Sequence, residues 1–153
     1  VIRLVVAAVL TVATFSTVAP AVDDARAAGT DRELAAAVDR IERAGAALAT
    51  SEDATPTRAH AATRRVAIRL PSASLTTARP SFLAVGGKPG GPGNRSLVAS
   101  ESTTGSTRLR GLSLPVPVRT PDGPVVFEAT GRHTVSLALV LDGGEPVLVV
   151  TRV

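Results

Sequence analysis

The chain has 153 residues and a formal charge of +4, with no Cys, Met, Trp or Tyr and only three aromatic residues, Phe15, Phe82 and Phe127. Zero cysteines exclude disulfides, thiolate metal sites and a cysteine nucleophile, and a core built from Val, Leu, Ile and Ala is that of one modest domain with few large anchors. The charge is uneven: residues 30–63 carry four basic and six acidic residues, residues 64–153 carry eleven basic and five acidic, and every basic residue except Lys88 is arginine.

Residues 1–22, VIRLVVAAVLTVATFSTVAPAV, are uncharged apart from Arg3 and end abruptly at Asp23-Asp24. Two readings compete. As a retained anchor, residues 4–22 come close to the roughly 20 apolar positions a helix needs to cross hydrocarbon. Arg3 would keep the N-terminus cytoplasmic, giving a single N-terminal span in the cell membrane with the C-terminal domain outside. As a secretory signal, Arg3 belongs to a positive n-region, residues 4–18 form the apolar h-region, and Ala19-Pro20-Ala21 supplies the A-x-A cleavage pattern. The anchor is the favoured expectation. Thr11, Thr14, Ser16 and Thr17 weaken its apolarity, and Pro20 is expected to kink the helix near its outer end.

Residues 23–50 read as an amphipathic helix. Thr30-Asp31-Arg32-Glu33 has the capping-box pattern, and Gly29 just before it permits a break or bend. Leu34, Val38, Ile41, Gly45 and Leu48 follow at spacings of 4, 3, 4 and 3, one stripe of a helix. Asp39 and Arg43 form an (i, i+4) pair in the favourable order. The stripe serves either the domain's own sheet or a seam with other helices, and Leu34, Val38, Ile41 and Leu48 are the candidate helix-packing residues. Residues 51–63 are polar, contain Pro56 and His60, and read as a linker.

Residues 64–153 read as a β-rich domain. Val66, Ile68 and Leu70 alternate with Arg65, Ala67 and Arg69 as in a half-buried strand ended by Pro71. Ser81 to Val85 and Ser96 to Ser100 are short strand candidates. Between them GGKPGGPG, residues 86–93, is a loop without the GxxxxGK[ST] spacing of a phosphate cradle. Leu112, Leu114, Val116 and Val118 alternate, and Pro115 and Pro117 suit an edge strand. Pro121-Asp122-Gly123 is a turn before Val125 to Ala129. Val135, Leu137, Leu139 and Leu141 form the clearest strand, which Asp142-Gly143-Gly144 turns into Pro146 to Val153 as a hairpin. Val147 to Val150, continuously apolar, suggests burial on both faces. The fold class is α+β: an apolar N-terminal helix and an amphipathic helix, then a mainly antiparallel β-sheet of about five to seven strands.

Chemical motifs are sparse. His60 and His133 have no HExxH or paired-ligand spacing, and no GxSxG elbow is present. No catalytic residue, cofactor, metal or small-molecule substrate is expected. Basic residues form no dense run and stacking aromatics are missing, so no nucleic-acid partner is expected either; contact of a basic sheet with an acidic surface is the sharper alternative to coding bias. Asn94-Arg95-Ser96 is an N-x-[ST] sequon, which makes Asn94 a candidate glycosylation position.

An apolar N-terminal helix with a late proline, an amphipathic continuation and an antiparallel sheet together resemble the type IV pilin and pseudopilin plan. VIRLVVAAVLTVA, APAVDDAR and VDRIERAG are also similar to an uncharacterised family of small membrane-anchored proteins of halophilic archaea. The resemblance rests on residues 1–50. It implies a non-enzymatic, membrane-anchored structural or accessory subunit of the cell envelope. Its partners would be envelope proteins, or those of pilus or type II-secretion-type machinery, met through the N-terminal helix. The alternative is a secreted or surface binding module whose signal is removed after Ala21.

Overall fold

The computed structural model describes residues 2–101 and 105–153, with the side chains at positions 3, 4 and 10–19 excepted. One α-helix, α1 (Ile2–Ser51), replaces the two expected helices. Pro20 lies inside it and removes one donor of the i→i−4 ladder without ending it. The expected boundary at Gly29 and Thr30 is absent because both residues are used, within the helix, to receive another segment of the domain.

The expectation of a membrane span is corrected here. Among the described residues, no helix is long and apolar enough to cross a membrane, so a single N-terminal span is not supported. From Asp23 onward α1 is mixed in character: Asp23, Asp24 and Arg26 follow its N-terminal part, and from Thr30 charged and apolar positions interleave. The side chains of Thr11, Thr14, Ser16 and Thr17, which weaken the apolar run in the sequence, lie outside the described residues.

Among the described residues eight strands follow, in two four-stranded sheets rather than one sheet of five to seven. They are β1 (Thr63–Leu70), β2 (Phe82–Val85), β3 (Leu97–Glu101), β4 (Thr107–Gly111), β5 (Val118–Arg119), β6 (Val125–Phe127), β7 (Gly131–Asp142) and β8 (Glu145–Arg152). The first sheet has the order β1-β7-β8-β5 and the second β4-β3-β2-β6. All pairings are antiparallel except β5 with β8. The alternation through Leu112, Leu114, Val116 and Val118 marks inward-facing side chains, since Leu112 and Val118 are buried and Leu114 and Val116 pack against the core. Only Val118–Arg119 joins a ladder, however, because Pro115 and Pro117 cannot donate to one.

The two sheets share one core with the second half of α1. Val66, Ile68 and Leu70 of β1, Val135, Leu137 and Leu139 of β7, and Leu148 and Val150 of β8 meet Leu83, Val85, Val98 and Phe127 of the other sheet. Leu34, Val38, Ile41 and Leu48 enter the same cluster from α1. The period-two strands place alternate residues on this inner face, and the helical stripe supplies the third side. On the outer face of β7 and β8, Val140, Val147 and Val149 form a second cluster with Ala61. The polar stretch after α1 covers it: Thr55 bridges Val140, and Leu141 N–H donates to Thr55 O at 2.9 Å. Val147 to Val150 is therefore buried on both faces, as its unbroken apolar run implied.

The β7–β8 hairpin sets this register. Asp142 pairs with Glu145 across a two-residue loop, and Gly143 and Gly144 have φ of 62° and 90°. Two successive positive φ values define the turn whose twist matches that of the strands, and only glycine adopts them freely. Replacing both glycines by alanine is expected to lower the unfolding free energy by about 1–2 kcal/mol per position. Leu148→Ala, at a fully buried site, should cost about 2–5 kcal/mol, against about 0.5 kcal/mol or less for Leu109→Ala on exposed β4. Urea unfolding curves of the three variants check the ranking.

Candidate functional site

The two halves of α1 live in different environments. Towards the N-terminus, Ile2 is 80% exposed, Val5 57%, Val6 52% and Val9 63%. Steps of 3, 1 and 3 put these four on one face of the helix. Large aliphatic side chains held on one face, without cover, are the usual mark of a surface that another apolar surface meets. Arg26 bonds the rest of the domain: its Nε donates to Leu75 O at 3.4 Å and its carbonyl accepts Ala78 N–H at 3.3 Å.

A strap between β1 and β2, residues 71–81, holds α1 at that point. Ser74 shapes it: its Oγ accepts the N–H groups of Thr76 and Thr77, both at 3.1 Å, and its own N–H donates to Thr77 O at 2.8 Å. The strap then meets Thr30, which is buried in the middle of the helix. Thr30 Oγ1 accepts Ala78 N–H at 2.8 Å and lies 2.7 Å from Ala78 O and 3.0 Å from Arg26 O, with one proton to donate between these carbonyls. Beside it, a Cβ on Gly29 would stand 2.0 Å from Thr76 O. The strap can therefore approach only where the helix has no side chain. The pair that reads locally as a helix start is the seat of a tertiary contact.

Charges hold α1 to the second sheet. Asp31 pairs with Arg108 of β4, and Asp39 pairs with Arg110 at 2.7 Å, with Glu42 also 3.9 Å from Arg110. Glu42 Oε1 accepts Ser113 N–H at 2.9 Å. These side chains are mostly solvent-accessible, so each pair contributes at most about 1 kcal/mol; together they set which side of the helix faces β4. The Asp39–Arg43 pair expected along the helix does not form as such. Arg43 donates to the Asp39 backbone carbonyl, and the Asp39 carboxylate turns to Arg110.

The other sequence candidates have definite places. Leu34, Val38, Ile41 and Leu48 are all buried in the domain's own core, so they present no surface to a partner. Asn94 is exposed with φ of 61°, in the left-handed region. Its Oδ1 accepts Thr120 N–H at 2.8 Å and its own N–H donates to Thr120 Oγ1 at 2.9 Å, which clips the Gly-rich loop to the turn before Pro121. The sequon hydroxyl, Ser96 Oγ, accepts Val118 N–H at 3.1 Å. His60 Nδ1 lies 2.9 Å from Thr57 Oγ1. His133 Nε2 donates to Ala129 O at 2.6 Å and its ring lies 5.0 Å from that of Phe127. Among the described residues, no three His, Asp or Glu side chains are placed to hold a metal ion. Every buried side-chain nitrogen and oxygen there has a hydrogen-bond partner.

Over residues 1–153 the chain matches the family described as a domain of unknown function, DUF7311. The chain belongs to the DUF7311 family. No curated protein and no solved structure matches it. What marks this DUF7311 chain is the half-buried, half-projecting helix and the strap that divides it. The strap has no signature beyond its Ser and Thr content. The signal that could have located it is the coincidence of Gly29 and Thr30 within an otherwise helical pattern, and that coincidence also fits a cap.

Two substitutions test the seat. Gly29→Ala raises intrinsic helix propensity by about 1 kcal/mol, yet its methyl meets a backbone carbonyl. A net destabilisation of about 1–3 kcal/mol is expected. Thr30→Val keeps the shape and removes the hydroxyl, and should cost about 1–3 kcal/mol because it strips Ala78 N–H of its shorter bond. Thermal unfolding reads both; a rise in melting temperature for Gly29→Ala would refute the contact.

Proposed function

We propose that this DUF7311 protein is a non-enzymatic, pilin-like structural or accessory subunit of the cell envelope, and that it joins its partners through the projecting half of α1. One observation carries the reading: a single helix whose second half is built into the core and whose first half displays Ile2, Val5, Val6 and Val9 on one exposed face. Covering such a side chain is worth roughly 1.5–3 kcal/mol, so four of them favour association with an apolar partner helix. Ridges-into-grooves packing between helices is the economical way to cover such a helical face. Residues 1–50, which resemble small proteins of halophilic archaea and the pilin plan, support the same reading. Envelope or pilus-assembly proteins with an apolar helix of their own are the proposed partners.

A second reading is a surface or secreted binding module whose N-terminal segment is removed after Ala21. It is favoured by the position of the strap. Arg26, beyond residue 21, bonds Leu75 and Ala78 of the strap, and the core residues of α1 begin at Leu34, so loss of residues 1–21 would leave both in place.

The double substitution Val5→Asp/Val9→Asp tests the first reading. Under it, the full-length protein associates as concentration rises in sedimentation velocity. The variant should remain a monomer with an unchanged melting temperature. Equal association of both proteins would sink the proposal. N-terminal sequencing of protein from native cells decides the second reading, which requires a mature chain beginning at Val22.

A further inference from the structure

The outer face of the first sheet, opposite the face that α1 packs against, carries arginines that form no ion pair among the described residues. Arg69 of β1 lies directly opposite Arg132 of β7 in the antiparallel register. Further along the same face, Ala67 opposes Thr134 and Arg65 opposes Ser136. Thr151 extends that last row onto β8, and Arg58 reaches over to donate to the Thr151 hydroxyl. Four exposed arginines thus rim a floor of small side chains. Strand spacing of about 4.8 Å and a same-face repeat of about 6.8 Å confine them to a patch of roughly 14 by 10 Å.

Among the described residues, none of the four is ion-paired. Glu33 borders the cleft beside Arg69 without pairing with it. The contrast with β4 is direct, since Arg108 and Arg110 there both meet carboxylates of α1. Like charges directly opposite one another weaken a strand pair, and the Arg69–Arg132 pair joins edge strand β1 to β7 with no ion pair to either arginine among the described residues. Guanidinium groups spaced in this way favour several carboxylates at once.

We infer that this face is a docking surface for an acidic surface of a protein partner. The floor of Ala67, Thr134 and Ser136 is level and made of small groups, which suits a flat protein contact. A nucleic-acid strand would find no Phe, Tyr or Trp ring to stack on there, since Phe127 is buried on the inner side. The inference is independent of the projecting helix.

The test uses the full chain and a fluorescein-labelled peptide of ten glutamates, followed by fluorescence anisotropy at low salt. Wild-type protein binds the peptide, and binding weakens as salt is added. Arg69→Gln/Arg132→Gln lowers the affinity at least tenfold. Lys88→Gln/Arg95→Gln, the same charge change near the Gly-rich loop, alters it less than twofold. The melting temperature of the Arg69/Arg132 variant stays level or rises, because a repelling pair is gone; a purely structural role predicts a fall. Absence of wild-type binding, an equal loss in both double variants, or tighter binding of a ten-nucleotide single strand of thymidines would each overturn the proposal.

Discussion

Burial of Leu34, Val38, Ile41 and Leu48 against both sheets is the interaction on which the rest of this molecule depends. The core contains one aromatic ring, Phe127, and is otherwise aliphatic. Two small sheets of four strands, one ending in a two-residue strand and the other in a three-residue strand, cover each other incompletely. The helical stripe fills the remaining side, and each of its larger side chains contributes roughly 1.5–3 kcal/mol. Removing the helix would open the sheets to water; removing the sheets would leave the stripe uncovered. The second half of α1 is thus a component of the domain, and only the first half is available to anything else.

That division is made by geometry at a single level of the helix. Gly29 lets the strap come within contact of the helix backbone, and Thr30 supplies the hydroxyl that satisfies Ala78. Below this level the helix is enclosed by β1, β4 and the core. Above it, the strap contributes its last polar contacts around Arg26, and the aliphatic stripe stands free. Asp31, Asp39 and Glu42 of the enclosed half are matched to β4, and Arg65, Arg69 and Arg132 face the other way, with no ion pair among the described residues. Charge in this protein is sorted by face more than by segment.

Much of the β domain was legible because period-two alternation is a local signal: Val66, Ile68 and Leu70, or Val135, Leu137 and Leu139, announce their inward face over a few residues. The glycine pair at 143–144 announced the hairpin for the same reason. The α-helical stripe was legible too, down to Gly45. What the sequence did not disclose is where separate segments meet. β4 has no buried position in Thr107–Gly111, and no strand was expected there; it becomes a strand by pairing with β3 and by meeting helix acids more than 70 residues away. The strand alternation through Leu114 and Val116 was right in its direction and wrong in its ladder, because proline decides hydrogen bonding and not side-chain burial. Gly29 and Thr30 misled for a deeper reason, since a glycine and a threonine serve equally at a helix start and at a close tertiary crossing. The expected membrane span is not supported, since among the described residues no helix is long and apolar enough to cross a membrane.

The uninterrupted run of α1 through Asp23, Asp24 and Arg26 has a mechanical consequence. About 24 residues stand beyond the strap, a length of roughly 36 Å at the rise of an α-helix. Such a rod is a lever, and the strap at Gly29 is its fulcrum. A sideways load at Ile2 is multiplied into torque at Gly29, where the helix lacks a side chain and Arg26 and the Thr30 hydroxyl tie it to the strap. Any assembly that pulls on the tip must therefore either load the rod along its axis or brace it with neighbours close to the strap.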